Sequence, residues 1–138
     1  MEQLAQLIVL TLAAGTPLVY AALGDLVAEK SGVLNLGVEG MMVVGAVTSF
    51  IVAATTQSPW LGVAAGMAAG TALSLIFGVL TLSLMANQVA SGLALSLFGI
   101  GLSAFVGLNY VSVVIDPITP LSIPLLSQLL NFKDRNIT

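Results

Sequence analysis

The chain has 138 residues, of which 58% are hydrophobic and 7% are charged, and its mean hydropathy is +1.11. A soluble domain carries about 25% charged residues, and one of this length leaves roughly 30% of its unfolded-chain surface exposed to water. The composition therefore indicates an integral membrane protein surrounded by lipid. A net charge of −3 with three basic residues excludes a nucleic-acid partner, and the absence of cysteine and histidine excludes disulfides, thiol chemistry and histidine catalysis.

Four apolar stretches approach the roughly 20 residues that a membrane span requires. The sequence predicts an all-α, polytopic membrane protein with about four transmembrane helices, at residues 4–23, 33–56, 61–86 and 89–110. Pro17 interrupts the first stretch and predicts a kink there. The second stretch reaches span length only if it includes residues 33–40, so we expect a polar, glycine-broken start to that helix.

The remaining residues, 111–138, contain three prolines and a polar tail, which predicts an extended segment with a frayed end. Lys30 is the only basic residue between two spans and favours a cytoplasmic position for the loop after the first span. The N-terminus and residues 111–138 would then be extracytoplasmic, although Lys133 and Arg135 in the tail favour the opposite orientation.

Small residues recur at every fourth position of the third span, and more loosely in the fourth. A small-residue face lets another helix approach closely, so we interpret both sets as packing surfaces, with direct substrate contact as the alternative. The third-span set is Gly62, Gly66, Gly70, Ser74 and Gly78, and the fourth-span set is Gly92, Ser96, Gly99, Ser103 and Gly107.

Two polar segments interrupt the apolar pattern, at residues 29–42 and 87–92. Asn35 and Glu39 are four residues apart and would share one face if the first segment is helical. Polar groups at membrane depth are costly and mark a cavity or a partner, but Glu39 could equally lie at the interface. The second segment, "NQVASG", is either a short loop or part of a permeation path. Neither segment offers a nucleophile–base pair, a phosphate loop or a metal-ligand set, so we expect no catalytic residue, no metal and no enzyme activity.

The stretches "TPLVYAALGDLVAEKSGVLNLGVEGMMVVGA" (16–46), "NQVASGLALSLFGIGLSAFVG" (87–107) and "IDPITPLSIPLL" (115–126) resemble permease subunits of ABC importers. The resemblance is to the branched-chain amino acid, simple sugar and nucleoside group, nearest the nucleoside (basic membrane lipoprotein-associated) permeases, and it covers about residues 10–127. It implies a multi-pass protein of the bacterial plasma (inner) membrane that imports nucleosides or a similar small polar solute.

The resemblance also implies partners: a second permease subunit, cytoplasmic ATPase subunits and an extracytoplasmic substrate-binding lipoprotein. ATP would bind the ATPase, so this chain would need no cofactor. Residues in the matched motifs are expected to line or shape the substrate path. They are Gly32, Asn35, Gly37, Glu39, Gly40, Asn87, Gln88, Ser91 and Gly92.

Family members are about twice as long and carry a cytoplasmic loop that docks on the ATPase, for which this sequence has no equivalent. We therefore expect the N-terminal half of a permease that is not competent for transport alone. Two rival functions remain. A small dimeric four-helix antiporter would need an acidic residue in its first helix, and residues 4–23 contain none. A non-transporting protein that binds other membrane helices would use only the small-residue faces.

Overall fold

A computed structural model describes residues 2–115 of the protein, and these form four long helices. They are α1 (Glu2–Lys30), α2 (Val38–Thr56), α3 (Pro59–Gly78) and α4 (Gln88–Gly107). A π-helical turn, Val79–Ser83, extends α3, and a 3₁₀ turn, Leu108–Tyr110, follows α4. All four are long and apolar enough to cross a membrane, and residues 2–115 contain no strand. The prediction of an all-α protein with four spans is confirmed. The predicted segment 111–138 lies outside the described residues from position 116 onward.

The first helix is longer than hydropathy predicted. It continues past residue 23 through Asp25 to Lys30, because charged side chains end an apolar run without ending a helix. It also passes through Pro17 without a break in the helical assignment. Hydropathy reports the solvent around a segment, whereas the helix continues until backbone geometry stops it.

Gly32 stops α1. Its φ of +81° is left-handed, a conformation that glycine adopts without the steric cost of a Cβ. The Gly32 N–H donates to the Glu29 carbonyl at 2.9 Å, and the Val33 N–H donates to the Ala28 carbonyl at 3.1 Å. These two bonds are those of a Schellman C-cap. The Ser31 hydroxyl donates back to the Val27 carbonyl of α1 at 3.1 Å and makes no cap for α2.

Helix α2 is the centre of the described bundle. It packs against α3 on one side and α4 on another, while α1 makes few contacts with α2 and its span is exposed along its length. The buried cluster combines all three packed helices and consists of Val44, Leu73, Phe77 and Leu95.

The α2–α3 interface brings two helix backbones into direct contact. A Cβ placed on Gly62 would lie 2.6 Å from the Ser49 carbonyl oxygen, and one on Gly66 would lie 2.8 Å from the Gly45 carbonyl oxygen. The contact fades along α3, since a Cβ on Gly70 would meet only the Met41 carbonyl, at 3.9 Å. Further along, Ser74 is exposed and Gly78 has no atom of the described residues within 4 Å.

The connection from α3 to α4 reverses the chain in few residues. In the π-helical turn the Leu84 N–H reaches the Val79 carbonyl at 3.0 Å, and Met85 then takes a left-handed conformation with a φ of 53°. The Asn87 side chain accepts from the Ala90 N–H at 3.0 Å and caps α4. Because α2 and α3 each traverse the bundle once, α4 starts at the same end of the bundle as the connection between α1 and α2.

Candidate functional site

Residues 32–37, called the strap here, form a non-helical segment that joins α1 to α2 and lies along α4. A Cβ on Gly92 would lie 2.9 Å from the Leu36 nitrogen and 3.1 Å from the Gly37 nitrogen. Gly92 and Ser96 are four and eight residues into α4, which corresponds to about 6 and 12 Å along its axis. The strap therefore carries polar, non-helical backbone inside the layer that α4 spans. Such backbone is tolerated at membrane depth where it is covered by protein or lines a water-filled cavity.

Two side chains of α4 satisfy part of the strap's backbone. The Gln88 Oε1 accepts from the Leu34 N–H at 2.7 Å, and the Gln88 Nε2 donates to the Gly32 carbonyl at 3.5 Å. The Ser96 hydroxyl donates to the Leu36 carbonyl at 2.8 Å. The two polar segments recognised in the sequence are thus in direct contact.

Asn35 turns the strap into α2. Its Oδ1 accepts from the Gly37 N–H at 2.9 Å, and its Nδ2 lies 3.9 Å from the Met41 sulfur. Because Asn35 precedes the helix, it does not share a helical face with Glu39. The shared face was predicted for the case that residues 29–42 are helical, and the strap does not meet that condition.

A crossing of two glycines fixes the first turn of α2 on α4. A Cβ on Gly40 would lie 2.6 Å from both the Leu95 carbonyl oxygen and the Ser96 Cα, and a Cβ on Gly99 would lie 2.6 Å from the Gly40 carbonyl oxygen. Neither position has room for a side chain. The backbones of α2 and α4 therefore touch in the first turn of α2, immediately after the strap.

Glu39 is exposed, although it lies well inside the length of the α4 span. Its neighbour Gly40 contacts residues 95–99, so its Cα lies about 10 to 16 Å beyond the start of α4, at 1.5 Å per residue. A carboxylate at this depth requires a partner or water. Its position marks it as a candidate path residue.

The remaining predicted path residues surround the strap. Gly37 and Gly92 are buried where strap and α4 meet, Ser91 is half-buried, and Asn87 is exposed at the cap of α4. Gly32 is exposed at the cap of α1. Within residues 2–115 no group of three or more acidic, cysteine or histidine side chains could hold a metal ion.

Sequence reasoning assigned Ser96 and Gly99 to a packing surface, with direct substrate contact as the alternative, but did not identify the strap and the start of α2 as the segments that they contact. The available signal was their spacing from the second polar segment. Gln88, Gly92, Ser96 and Gly99 follow one another at intervals of four, four and three residues, which places all of them on one face of α4.

A family model described as "Branched-chain amino acid transport system / permease component" matches residues 7–124. The match covers most of the chain, including the strap and all four helices. The chain belongs to this permease family. No solved structure matches it significantly.

Three curated relatives illustrate the range of the permease family. The chain is 45% identical to a putative glucose ABC transporter permease of Haloferax volcanii over 87% of its own length and 36% of the relative's. It is 38% identical to a guanosine ABC transporter permease of Bacillus subtilis, over 70% of this chain and 32% of that protein. It is 33% identical to a nucleoside ABC transporter permease of Lactococcus lactis subsp. cremoris, over 65% of this chain and 30% of that protein. The chain spans about a third of the length of these relatives.

Family membership also decides against the rival antiporter. The sequence argument against it required a first helix without charge, but α1 contains Asp25 and Glu29. The Oδ1 atom of Asp25 is buried and has no hydrogen-bond partner among residues 2–115. The evidence for a permease is therefore the family match and not the composition of the first helix.

Proposed function

We propose that this chain forms part of the transmembrane pathway of an ATP-driven importer for nucleosides or a similar small polar solute. The observation that carries the proposal is the strap, whose polar backbone lies inside the span and is held by Gln88 and Ser96. Non-helical backbone beside a cavity is a recurrent means of binding solutes in transporters. The assignment of the solute draws on the two nucleoside-transporting relatives, and the putative glucose permease provides the competing solute class.

The proposed complex contains a second permease subunit, cytoplasmic ATPase subunits that bind ATP, and an extracytoplasmic substrate-binding lipoprotein. It resides in a plasma membrane, with the N-terminus outside and the α1–α2 connection in or near the cytoplasm. Lys30, at the end of α1, supports this orientation.

Five of the nine predicted path residues form two groups by their surroundings. Gly40 and Gly92 are buried against neighbouring backbone, and Gly37 is buried against the side chains of Asn35, Met41 and Leu95. All three glycines shape the path by allowing strap and helices to pack closely. Glu39, which is exposed, and Ser91, which is half-buried, present polar side chains that a solute can reach. Hydroxyl groups of a nucleoside or a sugar would donate to the Glu39 carboxylate.

Single-cysteine labelling tests the path directly, because the chain contains no cysteine. Glu39→Cys and Ser91→Cys variants, in membranes with the partner subunits, are treated with a water-soluble maleimide. We expect both to react and guanosine to slow the reaction. Leu97→Cys, at an exposed apolar position of α4, is the control and should stay unreactive in lipid, because thiols ionise poorly there. Protection by glucose but not guanosine would move the substrate to the sugar class, and no labelling at either site would refute the path.

The Glu39 carboxylate should matter for transport and not for assembly. We expect Glu39→Gln to lower guanosine uptake by about tenfold, since a charge-assisted hydrogen bond is roughly 1.4 kcal/mol stronger than a neutral one. The measurement is uptake of labelled guanosine in cells that carry the whole complex, at equal amounts of membrane-inserted protein. Normal uptake by the variant would return Glu39 to an interfacial role.

A further inference from the structure

We propose that Gln88 is a positioning residue whose side-chain amide, together with the Ser96 hydroxyl, fixes the strap to α4 so that strap and α4 move as one body. This assignment rests on the contacts around the strap and holds whichever solute is carried. It differs from the path role that the motif alone suggests for Gln88.

The first argument is the pattern of the two Gln88 bonds. They engage the N–H of Leu34 and the carbonyl of Gly32, the two groups that flank Val33. In a parallel sheet, the neighbouring strand offers one acceptor and one donor to the same pair of groups. A glutamine amide supplies one acceptor and one donor on two separate atoms, whereas a hydroxyl carries both on a single oxygen and an apolar side chain has neither. Gln88 therefore takes the place of a missing neighbouring strand.

The second argument is that the strap is attached to α4 and not to α1. Val33, between the two bonded groups, packs against the buried cluster that includes Leu95 of α4. The Leu36 carbonyl is held by Ser96, two turns further along the same helix. The strap is thus attached to α4 at both ends, whereas Gly32, in its left-handed conformation, joins it to the weakly packed α1.

The third argument concerns whether the Gln88 amide is free to bind a solute. Both ends of the Gln88 amide are engaged by strap backbone, so a solute would compete with those bonds for either end. Transport effects of Gln88 substitutions should therefore arise through the strap. Glu39, which is exposed, has no such engagement with the strap.

A cysteine reporter on the strap tests the proposal in the full chain without any solute. Val33→Cys is introduced into the cysteine-free chain, and its rate of alkylation by a water-soluble maleimide is measured in membranes. Gln88→Met, which keeps the length of the side chain and removes the amide, should raise the rate about tenfold, as expected for the loss of two hydrogen bonds. Gln88→Glu retains an acceptor for the Leu34 N–H and should restore the rate to within about threefold of the parent.

Two controls separate release of the strap from general loosening. Gln57→Met removes a glutamine at the other end of α2 whose side chain, among residues 2–115, bonds only the Ala54 carbonyl, and should leave the Val33→Cys rate unchanged. A second reporter, Ala53→Cys, lies buried in the α2–α3 interface and should not respond to Gln88→Met. If Gln88→Met does not insert into the membrane, Gln88→Asn, one methylene too short to reach the strap, takes its place. Equal rates in the Gln88 and Gln57 variants, or a matching rise at Ala53→Cys, would overturn the proposal. Failure of guanosine protection at Glu39→Cys would overturn the proposed function and leave this inference standing.

Discussion

Glycines allow close contact at both interfaces of α2, but the contacts serve different purposes. Towards α3, Gly62 and Gly66 let two regular helices touch backbone to backbone, and no side-chain hydrogen bond crosses that interface in the described residues. Towards α4, Gly92 and Gly99 admit a non-helical strap and the first turn of α2, and Gln88 and Ser96 add hydrogen bonds. The difference follows from backbone bonding, since a helix satisfies its own peptide groups and a strap does not.

The glycine crossing between α2 and α4 should be the most sensitive point of the comparison. Gly99→Ala adds a methyl that meets three backbone atoms of Gly40 at 2.6 to 2.9 Å, so α2 must move. We expect the free energy of unfolding to fall by about 2 to 3 kcal/mol, as for an overpacked core. The measurement is a denaturation titration in mixed detergent micelles. Gly101→Ala, two residues along α4 with no atom within 4 Å in the described residues, is the control and should be neutral or stabilising by up to about 1 kcal/mol. Equal effects of the two substitutions would show that the crossing is not tight.

A Gly→Ala substitution at the α2–α3 interface should lower the free energy of unfolding somewhat less. Gly62→Ala places its methyl 2.6 Å from the Ser49 carbonyl oxygen and 2.8 Å from the Ala53 methyl, with the Ala53 nitrogen further away at 3.3 Å, so one backbone atom lies closer than 3.0 Å instead of three. We expect a loss of about 1 to 2 kcal/mol in the same titration. Gly78→Ala, on the same helix beyond the contact, should cause no loss. A loss at Gly78 equal to that at Gly62 would mean that the small-residue face of α3 is packed along its whole length.

Two buried serines on α4 sharpen the contrast between packing and hydrogen bonding. Ser96 and Ser103 are 7% and 6% exposed, but only the Ser96 hydroxyl has a hydrogen-bond partner among residues 2–115. Ser96→Ala should cost about 1 kcal/mol, in the range of side-chain hydrogen bonds within membranes, because the Leu36 carbonyl loses its donor. Ser103→Ala should be neutral or slightly stabilising, because it removes an unpaired buried hydroxyl. Thermal unfolding of the two variants in one detergent compares them, and a reversed order would contradict the hydrogen bond to the strap.

The number and type of helices could be predicted because hydropathy responds to lipid directly. The limits of the helices could not. α1 continues to Lys30 because its charged residues are compatible with a helix, and α2 begins at Val38 instead of residue 33 because its expected first turn is drawn into the strap. That second difference depends on Gln88, which is 54 residues from Leu34 in sequence.

The two halves of the candidate site were each visible in the sequence as polar interruptions. Their contact was not, because a pattern within one segment carries no information about a hydrogen bond to another. The residue roles have the same limit. Gly32 was grouped with the path by its motif, and its positive φ and the two bonds of the α1 cap also give it a structural role.

The π-helical turn Val79–Ser83 sets where and in which direction the chain leaves α3. A π turn accommodates about one more residue than the equivalent α-helical turn. Removing one residue there would let the segment return to α-helical geometry, in which each residue turns the chain by about 100°. The connection at residues 84–87 would then start from a different side of α3, and the amide of Gln88 at its far end would be displaced from Leu34. The meeting of the two polar segments therefore depends on chain length at a point that touches neither of them, and a one-residue deletion in an apolar helix end could disable the site without altering any residue in it.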